Sequence, residues 1–235
     1  MVAVTSAPRF LPPSEAHLAE GAVVVVDVLR AFTTAAAAFE AGASRIVLVA
    51  TSDEALELKV AHPGWLAMGE VSGRWVGGFD LSNSPVQALE RDLSGATIVQ
   101  RTGAGTQAVI ASTGAERLWC TGLVTASATA RAVAASGLGV PDYVLSGVLP
   151  EHGMTGEDDL LTARLVERAR RGEPLAAARP AAAVAGSEEA AHTLSLGPEH
   201  TPPGDIELCV DVDRWDFAME ASREELGWVL HRVPA

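Results

Sequence analysis

Apolar side chains run unbroken from Ala22 to Val26 and stop at Asp27, in the segment Ala22-Val-Val-Val-Val-Asp27-Val-Leu-Arg30-Ala-Phe-Thr33-Thr34. β-Branched residues fit a pleated, packed surface, and a continuous apolar run predicts a strand buried on both faces of a parallel sheet. The alanine-rich stretch that follows favours helix up to Glu40 and Ala41, with Gly42 as its stop. Strand therefore gives way to helix between Asp27 and Arg30. In open α/β sheets ligands bind at the carboxyl ends of strands, where helix N-termini favour anions. Asp27, Arg30, Thr33 and Thr34 gather at this turn and read as a site; in the plainer alternative Asp27 only caps the helix and Arg30 is solvated.

The alternation of strand and helix continues along the chain. Strands are predicted at 45–50, 65–68, 96–100, 117–120 and 143–147. A helix starts at Ser52 and Asp53, with Ala55, Leu56, Leu58 and Val60 apolar, and ends at His62-Pro63-Gly64. Asn83 or Ser84 as N-cap and Pro85 at the first helical position predict a helix over Val86 to Arg91. Further helices are expected from Gln107, over Thr125 to Ser136, and from Glu157-Asp158-Asp159, whose apolar side carries Leu160, Leu161, Leu165 and Val166. Acids in a first turn suit the helix dipole; one of these three is also a candidate to point back at the site. Pro8, Pro12 and Pro13 lead into the first strand or an edge. Residues 172–203, rich in Ala, Pro and Gly, read as a connector or lid. Ile206 to Val212 alternates polar and apolar residues and predicts an edge strand, and Trp215 to Ala235 predicts a short closing helix. The class is α/β, layered α/β/α around a largely parallel or mixed sheet. The chain reads as one domain over 1–235, with 172–203 the place for a subdomain break.

Composition narrows the function classes. Thirty acidic against 17 basic side chains give a formal charge of −13, and Lys59 is the lone lysine. A surface that negative repels nucleic acid and anionic lipid, so neither is an expected partner. Cys120 and Cys209 match no zinc or redox spacing and read as buried thiols of a reducing compartment. No stretch is long and apolar enough for a bilayer and Met1 to Pro13 does not read as a secretion signal, so a cytoplasmic location is expected. The histidines at 17, 62, 152, 192, 200 and 231 are scattered and read as surface or loop residues.

Carboxylates recur at successive strand ends: Asp27, Glu70, Asp80 beside Asn83-Ser84-Pro85, and Glu157/Asp158; the glycine-bearing turn Thr102-Gly-Ala-Gly105-Thr106 joins them. Carboxylates without His or Cys company suit hard Mg²⁺, and arginines beside helix N-termini suit a phosphorylated or sulfonated anion. The combination points to phosphoryl chemistry. The turn at 102–106 lacks the lysine and spacing of a P-loop.

The blocks Val26-Asp27-Val28-Leu29-Arg30-Ala31-x-Thr33-Thr34, Gly69-Glu70, Gly78-Phe79-Asp80-Leu81-x-Asn83-Ser84-Pro85, Gly105-Thr106 and Glu157-Asp158 resemble, in order and spacing, the 2-phosphosulfolactate phosphatases. The best-known members of that family act in coenzyme M biosynthesis. The resemblance implies a Mg²⁺-dependent phosphatase splitting the phosphomonoester of 2-phosphosulfolactate, or of a related small phosphorylated acid, with a homodimer as one possible assembly. It implies Asp27, Arg30 and Asp80 as catalytic residues, and Asp27, Glu70 and Asp158 as metal ligands. Thr33, Thr34, Asn83, Ser84, Thr102, Gly105 and Thr106 are implied substrate contacts. The chain departs from the family pattern at Ser82, at Ala104 and Gln107, where an amide and an arginine are expected, at Thr125, and over Leu149 to Gly153. Arg101 or Arg74 is a candidate to replace the missing cation. Two alternatives stand beside this reading: a silent homologue binding a small anion or a protein partner, and a phosphatase whose substrate carries no sulfonate.

Overall fold

The computed structural model describes residues 7–149, 154–174 and 178–235. In chain order its elements are β1 (Arg9–Leu11), a 3₁₀ turn (Pro13–Leu18), β2 (Gly21–Val26), α1 (Ala31–Glu40), β3 (Arg45–Leu48), α2 (Ser52–Ala61), β4 (Leu66–Gly69) and β5 (Leu81–Ser82). There follow α3 (Pro85–Leu89), β6 (Thr97–Arg101), α4 (Gly105–Ala111), β7 (Ala115–Thr121), α5 (Ala126–Ala135), β8 (Asp142–Leu145), β9 (Val148–Leu149) and β10 (Met154–Thr155). The chain closes with α6 (Glu157–Arg170), α7 (Ala178–Ala185), α8 (Glu188–Ser195), α9 (Asp205–Cys209), β11 (Ala218–Glu224) and β12 (Gly227–Val233).

Ten strands form one mixed sheet in the order β1-β8-β2-β7-β11-β12-β3-β6-β4-β5. β1, β8, β2 and β7 are mutually parallel, as are β3, β6, β4 and β5. Between them lies the hairpin β11–β12, antiparallel to both neighbours. The sheet curls as a half-barrel, the accumulated result of strand twist. Curling is what lets the two halves meet: the Gln100 amide at the end of β6 donates to the carbonyl of Ala31 at the start of α1, 3.0 Å away. A Cβ on Gly105 would fall 2.7 Å from Asp27 Oδ2.

The four valines of β2 are buried on both faces, as their unbroken pattern predicts. Val23 and Val25 pack with Phe32 and Phe39 of α1; Val24 and Val26 pack with α5 and α6 residues such as Val133 and Val166. The α2 start is a full capping box in which Thr51 and Glu54 satisfy each other's backbone N–H. Gly69 permits the close approach of β4 to β6, because a Cβ there would lie 1.8 Å from the Arg101 carbonyl oxygen, at a φ of +137°.

Two expectations are corrected. The tail forms no closing helix: it is the hairpin at the centre of the sheet, its strands pairing with β7 and β3. Ile206–Val212 is no edge strand either. Asp205–Cys209 is helical, with Ile206 and Cys209 one turn apart and both buried. Residues 178–185 and 188–195 are helices. The departure at Leu149–Gly153 and His152 fall, beyond Leu149 itself, outside the described residues. No helix among the described residues is long and apolar enough to cross a membrane.

Candidate active site

Asp27 stands at the end of β2, where the chain must leave the sheet. Its Oδ1 accepts the N–H of Ala31, the first residue of α1, at 2.9 Å. Burial pushes its carboxyl up to about 6; nearby Glu70 adds to the rise, while hydrogen bonds from Ala31, Ser146 and Gly105 oppose it. One carboxylate thus sits on the N-termini of both α1 and α4, one helix from each half of the sheet.

Three more acids come to the same place. Glu70 follows β4; its Oε2 accepts the Gly73 N–H at 2.5 Å and its Oε1 the Gly103 N–H. Asp158 and Asp159, in the first turn of α6, are both buried. Burial raises Asp158 to about 7, with the charges of Glu189 and Asp27 adding to it, and its Oδ1 is buried without a hydrogen-bond partner. Asp159 is pushed well up by burial and then by Asp158 and Asp27. Its oxygens accept the N–H of Val28 at 3.0 Å, the N–H of Gly147 at 2.8 Å and the Ser146 hydroxyl at 3.3 Å. It therefore joins the turns after β2 and β8 to the start of α6. Glu189 of α8 accepts from Thr155 and Gly156 just before α6.

The other expected residues divide clearly. Arg30 is buried beside Asp27, and its Nη1 donates to Asp205 Oδ2 at 2.5 Å and to the His200 carbonyl at 2.9 Å. Ser84 caps α3 and donates to Asp205 Oδ1 at 2.6 Å. Thr33 donates back to the Val28 carbonyl. Thr34 Oγ1 and Asn83 Oδ1 are buried without partners. Thr102 and Thr106 lock the turn on each other: each backbone N–H donates to the other's hydroxyl. The amides of Gly103 and Gly105 meet the chain's own carboxylates, Glu70 and Asp27.

Asp80 is not brought to the cluster. Its carboxylate accepts from Lys59 at 2.8 Å and from the Ala67 N–H at 2.8 Å, and so ties α2 and β4 to the start of β5. Gln107 donates to the carbonyls of Ala50 and Thr102, and Arg101 to those of Ala50 and Glu70. Thr125 belongs to a buried hydroxyl ladder with Thr121 and Thr129. Glu189, His200 and Asp205 were not among the residues expected at the site, and Asp159 was expected there only as one member of its triplet. Only Asp159 had a sequence signal, as the third acid of its triplet.

These acids destabilise one another when all are ionised, and that has a measurable consequence. Asp27 and Asp158 have folded values of about 6 and about 7, above the ordinary 3.8. A raised carboxyl contributes most stability when protonated, below its unfolded value, and loses that contribution as pH rises through the folded one. Chelator-treated protein should therefore lose stability from about pH 4 to about pH 7, by several kcal/mol at roughly 1.4 kcal/mol per unit. Thermal unfolding across that range checks it; Asp158→Asn should flatten the slope, and a wild-type curve as flat as the variant's would refute the coupling.

A curled α/β sheet that brings buried acids to its strand ends and helix N-termini is an α/β protein with a site suited to a hard cation and a phosphorylated anion. Sequence comparison gives the particular family. A model of the 2-phosphosulpholactate phosphatase family matches residues 10–222, and the chain belongs to that family. A protein named "Probable 2-phosphosulfolactate phosphatase" from Bacillus subtilis (strain 168) is 32% identical over 211 residues, covering 89% of this chain and 91% of the relative. Proteins of the same name from Deinococcus radiodurans (36% over 147 residues, 61% of this chain and 59% of the relative) and Carboxydothermus hydrogenoformans (40% over 121 residues, 52% and 50%) match over shorter spans.

Proposed function

We propose that the protein is a Mg²⁺-dependent phosphatase that hydrolyses 2-phosphosulfolactate to 3-sulfolactate and phosphate. The observation that carries the reading is the meeting of Asp27, Glu70, Asp158 and Asp159 from both halves of the sheet, with Asp158 Oδ1 buried and unsatisfied. A buried carboxylate oxygen without a donor asks for a cation or a proton. Among the described residues no group of three His, Cys, Asp or Glu side chains is placed to hold a metal ion. Mg²⁺ does not need one: it keeps several waters and is held by one or two carboxylates together with substrate phosphate. The donor set is all oxygen, as that ion prefers, and Asp27 and Asp158 are the residues that would hold it; both Glu70 oxygens already accept backbone N–H groups. When bound, the ion supplies positive charge to the phosphoryl oxygens and acidifies a bound water.

The chain's own part is positioning and electrostatics, which dominate phosphoryl transfer. Water adds to phosphorus, the P–O ester bond breaks, and the proton passes to the leaving alkoxide. Asp27, held by the Ala31 N–H through Oδ1 and met by the Gly105 N–H and the Ser146 hydroxyl, is the carboxylate that would orient the water. Asp159 fixes the backbone of Val28 and Gly147 around it. Arg30 acts from behind, keeping α1 and α9 in register rather than touching the phosphate. Asp80 holds the β4–β5 frame.

In a direct test, phosphate release from 2-phosphosulfolactate is measured with and without Mg²⁺, alongside thermal unfolding. Mg²⁺ should raise the melting temperature of the wild type and do so far less for Asp158→Asn; equal shifts would place the ion elsewhere. The amides of Gly103 and Gly105, already met by carboxylates, are what favours the second reading, a silent homologue. No turnover of any phosphomonoester in Mg²⁺ would establish that one.

A further inference from the structure

The proposed substrate carries a sulfonate and a carboxylate as well as its phosphate, and the acids around Asp27 repel all three. Four cations are candidates to answer that repulsion: Arg30, Lys59, Arg101 and Arg74. Arg30 is sealed against Asp205 and the His200 carbonyl. Lys59 is paired with Asp80, and Arg101 donates to two backbone carbonyls. Arg74 alone of these four is paired with neither a carboxylate nor a backbone carbonyl among the described residues.

Its place is fixed by the loop after β4. Val71 and Arg74 exchange both backbone hydrogen bonds at 3.0 Å, across a two-residue turn in which Ser72 and Gly73 have φ of 51° and 76°. Two positive φ values mark the tight turn whose twist matches its flanking strands. The Gly73 N–H at its tip holds Glu70 Oε2 at 2.5 Å, so Arg74 follows directly on a residue bonded to the acidic cluster. The neighbouring side chain is His200, whose Nε2 lies 3.5 Å from Arg74 Nη1. His200 Nδ1 faces the Trp75 N–H at 3.4 Å and Nε2 faces Glu199 at 3.2 Å. The ring therefore accepts at Nδ1 and donates at Nε2, which leaves it nothing to offer an arginine. Arg74 is solvent-exposed, and among the described residues no carboxylate lies within ion-pair distance of it.

We propose that Arg74 is the specificity residue of the site, gripping the sulfonate of the substrate with paired guanidinium hydrogen bonds. The proposal rests on the phosphatase reading, and it assigns to this loop the recognition that Gln107 and Arg101, both turned onto backbone carbonyls, do not supply. A planar guanidinium matches the oxygens of a sulfonate as it does those of a phosphate.

The test compares 2-phosphosulfolactate with 2-phospholactate, which lacks only the sulfonate. Arg74→Gln should lower kcat/KM for the sulfonated substrate at least roughly tenfold more than for the other, mainly through KM, with Arg74→Lys recovering part of the loss. Calorimetric binding of 3-sulfolactate, the dephosphorylated product, gives a readout that needs no turnover and should weaken to a similar degree in Arg74→Gln. Equal losses on both substrates, or unchanged 3-sulfolactate binding, would overturn the assignment. If the wild type hydrolyses neither substrate but binds 3-sulfolactate more tightly than does Arg74→Gln, the phosphatase reading fails and the sulfonate grip stands.

Discussion

Asp27→Asn is expected to lower kcat/KM for 2-phosphosulfolactate on the order of a thousandfold, roughly 4 kcal/mol of transition-state stabilisation. At about pH 8 without metal the same variant should unfold at no lower temperature than the wild type. The two effects have one cause. Asp27 is buried with Glu70, Asp158 and Asp159 near enough for their charges to raise it or be raised by it. A carboxylate in that position costs the fold stability and is useful only if charge is needed there. The neutral amide keeps an oxygen for the Ala31 N–H, so the turn into α1 survives. Steady-state kinetics in saturating Mg²⁺ and unfolding in chelator measure the two sides. A variant that lost both activity and stability would show Asp27 to be a structural cap, the plainer of the two readings its sequence allows.

That ambiguity shows how far the sequence carries. The β2 run was legible because four consecutive valines have few alternatives to a strand buried on both faces, and its end marked the site's centre. Strands β3, β4, β6, β7 and β8 were legible for the same reason. The hairpin β11–β12 was not. Its strands mix Glu220, Ser222, Arg223 and Glu224 with Met219 and Ala221, and the partners that decide its fate, β7 and β3, lie far away in sequence. Gly227, with φ of 98°, just after Glu225-Leu226, was the one local sign of a turn. Asp205 defeats pattern reading in another way. The alternation from Ile206 to Val212 fits a strand, but Asp205 is fastened to Arg30, to Ser84 and to the Val86 N–H, and the chain behind it winds into α9. Asp80 shows the reverse error: a carboxylate inside a specific motif block, yet one that holds Lys59 and a backbone amide of β4. Position in a motif does not fix the direction of a side chain.

The Arg30–Asp205 pair should give the largest stability effect in the molecule. Their side chains are 2% and 0% exposed, and their atoms are 2.5 Å apart. Burial pushes the Asp205 carboxyl up from its ordinary value, opposed by the Ser84 hydroxyl and then by Arg30. The pair therefore stands against a large desolvation cost, and removing one partner leaves the other charged and uncompensated. Arg30→Met and Asp205→Asn are each expected to lose about 3–5 kcal/mol in urea unfolding. The double variant should lose clearly less than the two singles added, because neither orphaned charge remains. The pair joins the first residues of α1, α3 and α9, so activity in the folded single variants should fall through displacement of Asp27, without a change in which substrate is preferred. Additive losses in the double variant would mean that Arg30 and Asp205 are stabilised separately, Arg30 by the His200 carbonyl and Asp205 by Ser84 and Val86. In that case α9 would be held over the site by the Ser84 hydroxyl and the Val86 N–H and not by Arg30.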